Sequence, residues 1–323
     1  TEIRGKERKR YVTEQDFIEI KSLGFDHIRL PIDEVQFWTA EGKQIKSAFK
    51  LLDKALKWSM KHDLKVVVDL HTLRSHHFNI TESRTLWDEE SAQKQFIGFW
   101  YDLSAKMKKY PNDMVAYEPM NEAVSDDPED WNELINWVIS EIRKLEPNRT
   151  IIMGSNKWQQ TWTFPDLRVP ENDKNIILSF HTYTPMPFTH WKAPWTGWAA
   201  YDGPVSYPGE VVDTSIDLST YDQAAVESMR SFLMNYDRSN FEQEILVAVN
   251  RAKELGLPLY CGEFGCFPTT PMEMRQAYYK DLLAVLNQHN VAWAHWNWKN
   301  DFPLVEAKTG EPIHEILDIL LTE

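Results

Sequence analysis

An α/β fold of parallel strands closed as a (β/α)8 barrel is predicted for this 323-residue chain by three observations. Short apolar runs alternate with stretches of helical period, which is the pattern of repeated βα units. The runs end on polar or aromatic residues, where an apolar strand needs none and where a barrel gathers its strand ends at one mouth. Glycine and proline are scattered and no repeat or low-complexity linker interrupts the chain, so residues 1–323 read as one domain.

Seven strand candidates follow in order: Phe25–Pro31, Lys65–His71, Met114–Glu122, Thr150–Ser155, Ile176–Tyr183, Pro258–Gly265 and Val291–Lys299. Between them, Phe49, Leu52, Leu56 and Met60 share one helical stripe, as do Phe96, Phe99, Leu103 and Met107, and again Trp131, Leu134, Val138, Ile142 and Leu145. Asp127 before Pro128 is an N-cap with proline at the first helical position, and Gly24 and Gly256 are placed to stop helices. The segment before Thr13 is too charged for a barrel strand, so the first strand is expected to be missing from residues 1–323. It either precedes them or the barrel is completed otherwise, for example by a neighbouring chain, because an open edge leaves unpaired backbone groups. Thr184 to Tyr221, rich in Pro, Gly, Trp and Tyr, reads as a long functional loop overhanging the mouth.

A net charge of −14 argues against nucleic acid, whose phosphates call for a basic stripe. No apolar run approaches the roughly 20 residues needed to span a bilayer, and residues 1–10 lack the apolar core of a signal peptide. Cys261 and Cys266 have opposite pleat parity around one strand end and are expected to be free thiols. No metal is expected, since no three or four ligands stand at a recognisable spacing.

Glu122 and Glu263 each close an apolar run, 263 − 122 = 141 positions apart, and two carboxylates facing each other across a barrel mouth suggest glycoside hydrolysis. Strand-end parity adds Arg29, His71, His181, Tyr183 and Trp296 to the same face. Arg29-Leu30-Pro31, Asp69-Leu70-His71, Asn121-Glu122, His181-Thr182-Tyr183, Gly262-Glu263-Phe264-Gly265 and Trp296 together resemble glycoside hydrolase family 5, from about Thr13 onward. The resemblance implies a retaining barrel enzyme that needs no cofactor, with Glu122 as general acid/base and Glu263 as nucleophile. It further implies that Asn121 binds the sugar 2-hydroxyl, that His71 and His181 bind substrate and tune the acid, and that Trp296 lies beneath the sugar on the nonreducing side of the cut. Ala123 stands where the family usually has proline, and Pro119-Met120 replaces its usual apolar pair.

Ordinary structural roles compete with several of these readings. Asp69 and Glu118 read as buried structural acids, and Arg29 divides between pairing with them and tuning the nucleophile. Trp58, Trp100, Trp131 and Trp137 fall in helical patterns and read as core. Trp38, Trp158, Trp162, Trp191, Trp195 and Trp198 follow strands and are candidate sugar platforms, and His76 and His77 are placed to reach sugar hydroxyls. The expected activity is endo-hydrolysis of β-1,4 linkages in a cellulose-type β-glucan, with carboxyls roughly 5–5.5 Å apart as retention requires. A mannanase, xyloglucanase or mixed-linkage glucanase would share the same core, and an inactive barrel could serve as a carbohydrate-binding module. A monomer is favoured, and the resemblance implies a secreted or periplasmic protein.

Overall fold

The computed structural model describes residues 5–215, 217–306 and 308–322. They group into two compact units, one holding residues up to Phe180 together with Ala252–Pro258, the other holding His181–Arg251 and Leu259 onward.

In the first unit, Gly5–Tyr11 is helical rather than a strand, and residues 1–4 of the charged segment before Thr13 lie outside the described residues. The next helix, Glu14–Leu23, begins where the Thr13 N–H donates to Asp16 Oδ2 at 2.7 Å and ends at Gly24, whose φ of 108° suits a residue without Cβ. Four parallel strands follow in register: β1 (His27–Asp33), β2 (Lys65–Thr72), β3 (Val115–Glu118) and β4 (Ile151–Gly154). The fifth, β5 (Ile176–His181), pairs with β4 from Ile151↔Ile176 to Gly154↔Ser179, and its last residue opens the second unit. Val66, Val67 and Val68 are buried in succession, as are Ile151, Ile152 and Met153, which is how strands covered on both faces read. Beyond β5, Leu178 N–H donates to the Pro258 carbonyl at 2.9 Å.

The expected helical stripes face this sheet. Phe49, Leu52 and Leu56 are buried on the helix Lys46–Lys61, and Phe96, Phe99, Leu103 and Met107 on Glu90–Met107. Trp131, Leu134, Val138 and Ile142 are buried on Pro128–Leu145, where Asp127 caps by accepting from Glu129 N–H at 2.9 Å. Leu145, the last residue of that stripe, is exposed. Gly256 ends the helix Arg238–Leu255 with φ 62°.

The second unit carries a two-residue antiparallel pair, β6 (Gly209–Glu210) with β7 (Asn235–Tyr236), and the parallel pair β8 (Leu259–Glu263) with β9 (Ala292–Trp293). Thr182 N–H donates to the Glu263 carbonyl at 3.0 Å, tying the segment after β5 to the end of β8. The segment 184–221 is not one open loop: it holds the helix Met186–Thr189, β6 and the 3-10 turn Leu218–Thr220, and Trp198, Tyr201 and Tyr207 are buried. Cys261 and Cys266 are free and buried.

All seven strand candidates are strands, with shifted ends. The candidate ending at Glu122 stops at Glu118, because Pro119 has no N–H to offer a ladder. The last candidate shrinks to Ala292–Trp293, and further on Trp296 N–H donates instead to the Phe264 carbonyl at 2.9 Å. Gly265 permits that approach, since a Cβ there would lie 2.4 Å from the Trp296 carbonyl oxygen.

Candidate active site

The site residues of the first unit are organised by a buried charge cluster at the strand ends. In the β2–β3 register Asp69 lies opposite Glu118, so two buried carboxylates stand side by side and call for a cation. Arg29 from β1 supplies it, with Nε to Glu118 Oε2 at 2.6 Å and Nη2 to Glu118 Oε1 at 3.1 Å and to Asp69 Oδ2 at 3.0 Å. The same Nη2 donates to Asn121 Oδ1 at 2.7 Å, which fixes the amide so that Nδ2 is the free end. That Nδ2 is buried and meets no acceptor. Asp69 Oδ2 also takes the Nδ1 proton of His71 at 2.7 Å.

Glu122 lies beyond the ladder and is 8 % exposed, with a φ of 43° that costs a residue with a side chain on the order of 1–3 kcal/mol. The loop it begins is gripped by the segment after β4. Glu122 N–H donates to Gln159 Oε1 at 3.0 Å, Trp158 N–H donates to the Ala123 carbonyl at 3.1 Å, and Ser125 N–H donates to Asn156 Oδ1 at 3.0 Å. His76 Nε2 lies 3.3 Å from the Glu122 carbonyl, which can only accept, so Nε2 carries the proton. Burial lowers the His76 pKa to about 4. His76 is thus not the sugar-facing group the sequence suggested: it is buried, its ring edge-on to Trp87 at 5.1 Å. His77, half-buried, stacks on Phe78 at 4.8 Å, and burial lowers its pKa first, the neighbouring His71 second. Trp158 is 37 % exposed, its indole N–H held by the Phe78 carbonyl at 2.9 Å.

In the second unit, β8 ends on Glu263, 4 % exposed. Tyr183 O–H donates to its Oε2 at 2.9 Å, and His181 Nδ1 lies 3.8 Å from the same oxygen. An aromatic wall backs Tyr183: His190 meets it edge-on at 5.1 Å and Phe302 tilts against it at 5.6 Å. Burial lowers the His190 pKa to about 4. Trp195, 48 % exposed, stands edge-on to Phe267 at 5.1 Å and to Phe302 at 6.2 Å. Trp191 is half-buried and donates its indole N–H to the Gly203 carbonyl at 2.9 Å, and Trp296 is half-buried beyond β9.

The model of the cellulase family, glycosyl hydrolase family 5, matches residues 3–302. The chain belongs to glycosyl hydrolase family 5. Among similar proteins, endoglucanase C of Acetivibrio thermocellus is 29% identical over 321 residues, covering 96% of this chain and 91% of that one. Cellodextrinase A of Ruminococcus flavefaciens is 29% identical over 285 residues, 87% of this chain and 77% of its own. Two solved structures agree in fold: the cellulose synthase subunit Z of Clostridioides difficile (TM-score 0.79, 23% identity, 96% and 92% covered) and Thermotoga maritima Cel5A with cellobiose (TM-score 0.78, 23% identity, 96% and 90% covered). These place the chain in the (β/α)8 barrel fold of family 5, as the alternation of strands and helices predicts.

Within this family 5 chain, Arg29, His71, Asn121 and Glu122 cluster in one unit, and His181, Tyr183 and Glu263 in the other. Two tryptophans offered as platforms are core instead. Trp38 is fully buried, tilted against Phe99 at 4.3 Å with its N–H on Asp102 at 2.8 Å, and Trp198 is buried with its N–H towards the His190 carbonyl. Gln159 and Asn156 escaped the sequence reading, because a polar residue just past a strand carries no local sign of the backbone it will hold.

Proposed function

We propose that this chain is a retaining endo-β-1,4-glucanase, with Glu122 as general acid/base and Glu263 as nucleophile. The observation that carries the reading is the Asn121–Glu122 pair: Arg29 fixes the Asn121 carbonyl and leaves Nδ2 as a buried donor without a partner, which suits a sugar hydroxyl. In the first step the Glu263 carboxylate attacks the anomeric carbon while the glycosidic C–O bond breaks and Glu122 gives its proton to the leaving oxygen. In the second, Glu122 takes a proton from water, the water oxygen bonds to the anomeric carbon, and the ester to Glu263 breaks. Tyr183 O–H holds Glu263 through Oε2.

His71 through Nε2, His181 and Trp296 are proposed substrate contacts, with Trp158, Trp191 and His77 as outer ones; the partly exposed Trp158 suits stacking on a pyranose face. A single catalytic domain over residues 1–323 belongs to the proposal, supported by a family match that runs through both units. So does secretion, since a polymeric glucan must be met outside the cell. Among the described residues no helix is long and apolar enough to cross a membrane.

Similarity to endoglucanase C supports cellulose-type substrates and internal cleavage. The test is the viscosity of carboxymethyl cellulose against reducing ends released, with glucomannan, xyloglucan and barley glucan in parallel. Viscosity should fall steeply at low reducing-end yield on the cellulose derivative. Release of cellobiose without loss of viscosity, or activity on mannan alone, would overturn the assignment.

A further inference from the structure

Glu122 lies past the last ladder residue of β3, in a left-handed conformation that neither strand nor helix imposes. Something else must hold it there. Both polar groups of its own backbone end on side chains from other segments: N–H on Gln159 Oε1 at 3.0 Å and C=O on His76 Nε2 at 3.3 Å. Gln159 is 1 % exposed and His76 3 %.

We propose that Gln159 and His76 are positioning residues that clamp the backbone of Glu122 by its N–H and C=O, fixing its left-handed φ and so the direction in which its carboxyl leaves the chain. The inference rests on the acid/base reading of Glu122 and adds what aims it.

The delivery of Gln159 is itself built. Lys157, Trp158 and Gln159 are three successive residues at positive φ (48°, 63° and 56°), a left-handed turn that no glycine eases. The turn leaves Gln159 lying over Gly154, where a Cβ would come within 2.4 Å of its Cγ and Cδ, so that glycine is the space the side chain occupies. Gln159 Nε2 bonds to Ser179 Oγ at 3.1 Å, and the Glu122 N–H, which can only donate, sets the amide so that Oε1 faces it. On the other side, Trp87 meets the His76 ring edge-on at 5.1 Å. The neighbouring bonds from Trp158 to Ala123 and between Ser125 and Asn156 hold the loop as a whole. Those of Gln159 Oε1 and His76 Nε2 fall on Glu122. Their loss should therefore free the direction of one carboxyl rather than unfold the loop.

The test compares Gln159→Met, His76→Leu and His76→Gln with the parent enzyme and with Glu122→Gln. Each is assayed for kcat/KM on cellotetraose, whose leaving group needs a proton, and on dinitrophenyl β-cellobioside, whose leaving group does not. Gln159→Met and His76→Leu should lose on the order of 100-fold on cellotetraose, the scale of a misplacement near 1 Å, and less than about tenfold on the activated substrate. The limb of the pH profile that reports the proton donor should move with them. His76→Gln, whose amide nitrogen reaches the place of Nε2, should recover most of the cellotetraose activity. Folded variants that keep cellotetraose activity, or lose both substrates equally while Glu122→Gln stays selective, overturn the clamp and leave the acid/base reading standing. Equal losses in Glu122→Gln remove both. Should circular dichroism show Gln159→Met unfolded, the His76→Leu and His76→Gln pair decides by the same criterion.

Discussion

The hydroxyl of Tyr183 donates to Glu263 Oε2 at 2.9 Å, its ring packed against His190 and Phe302. A donor so placed fixes which of its oxygens is spent on the bond.

Tyr183→Phe keeps the ring and removes only that donor. A hydrogen bond to a charged group contributes about 1.5–3 kcal/mol, so kcat/KM should fall roughly 10- to 100-fold. Steady-state kinetics check the loss, and an unchanged kcat/KM would contradict the role.

Arg29→Met addresses the charge cluster. It leaves Asp69 and Glu118 buried opposite each other without their shared cation. Breaking such an arrangement by removing one partner costs about 3–5 kcal/mol, which urea unfolding should report. A loss below about 1 kcal/mol would show that the cluster is not held as described.

His190 provides a stability signature. Its Nδ1 meets Thr189 Oγ1 at 3.0 Å, and Tyr183, Trp195 and Phe302 surround its ring. Burial lowers its pKa to about 4, against an ordinary value of 6.5. As pH falls below 6.5 the unfolded chain takes up a proton that the folded chain refuses until about pH 4. The stabilising difference is therefore complete above pH 6.5 and is lost towards pH 4, on the order of 3 kcal/mol in all. His190→Gln should flatten the fall in unfolding free energy across that window by a similar amount. Parallel curves for parent and variant would contradict it.

The parts legible in the sequence are those where burial dictates residue type. Val66-Val67-Val68 and Ile151-Ile152-Met153 could only be strands covered on both faces, and Trp131, Leu134, Val138 and Ile142 only one side of a helix. Asp69, Glu118 and Arg29 were legible as buried charges needing partners, though not as one cluster that also reaches Asn121. Trp38 was not legible. Its position after a strand suggested a loop platform, but its indole lies in the core against Phe49 and Phe99 and finds Asp102, a partner 64 residues away. The left-handed turn at Lys157–Gln159 left no mark either, because such turns announce themselves through glycine and this one has none.

Double displacement requires Glu263 to become covalently attached to the sugar. Incubation with a 2-deoxy-2-fluoro-β-cellobioside bearing an activated leaving group, followed by peptide mass spectrometry, tests it most directly. One glycosyl adduct is expected, on Glu263, and it should disappear in Glu263→Gln; an adduct on another residue, or none while substrate is still hydrolysed, would rule out Glu263 as the nucleophile.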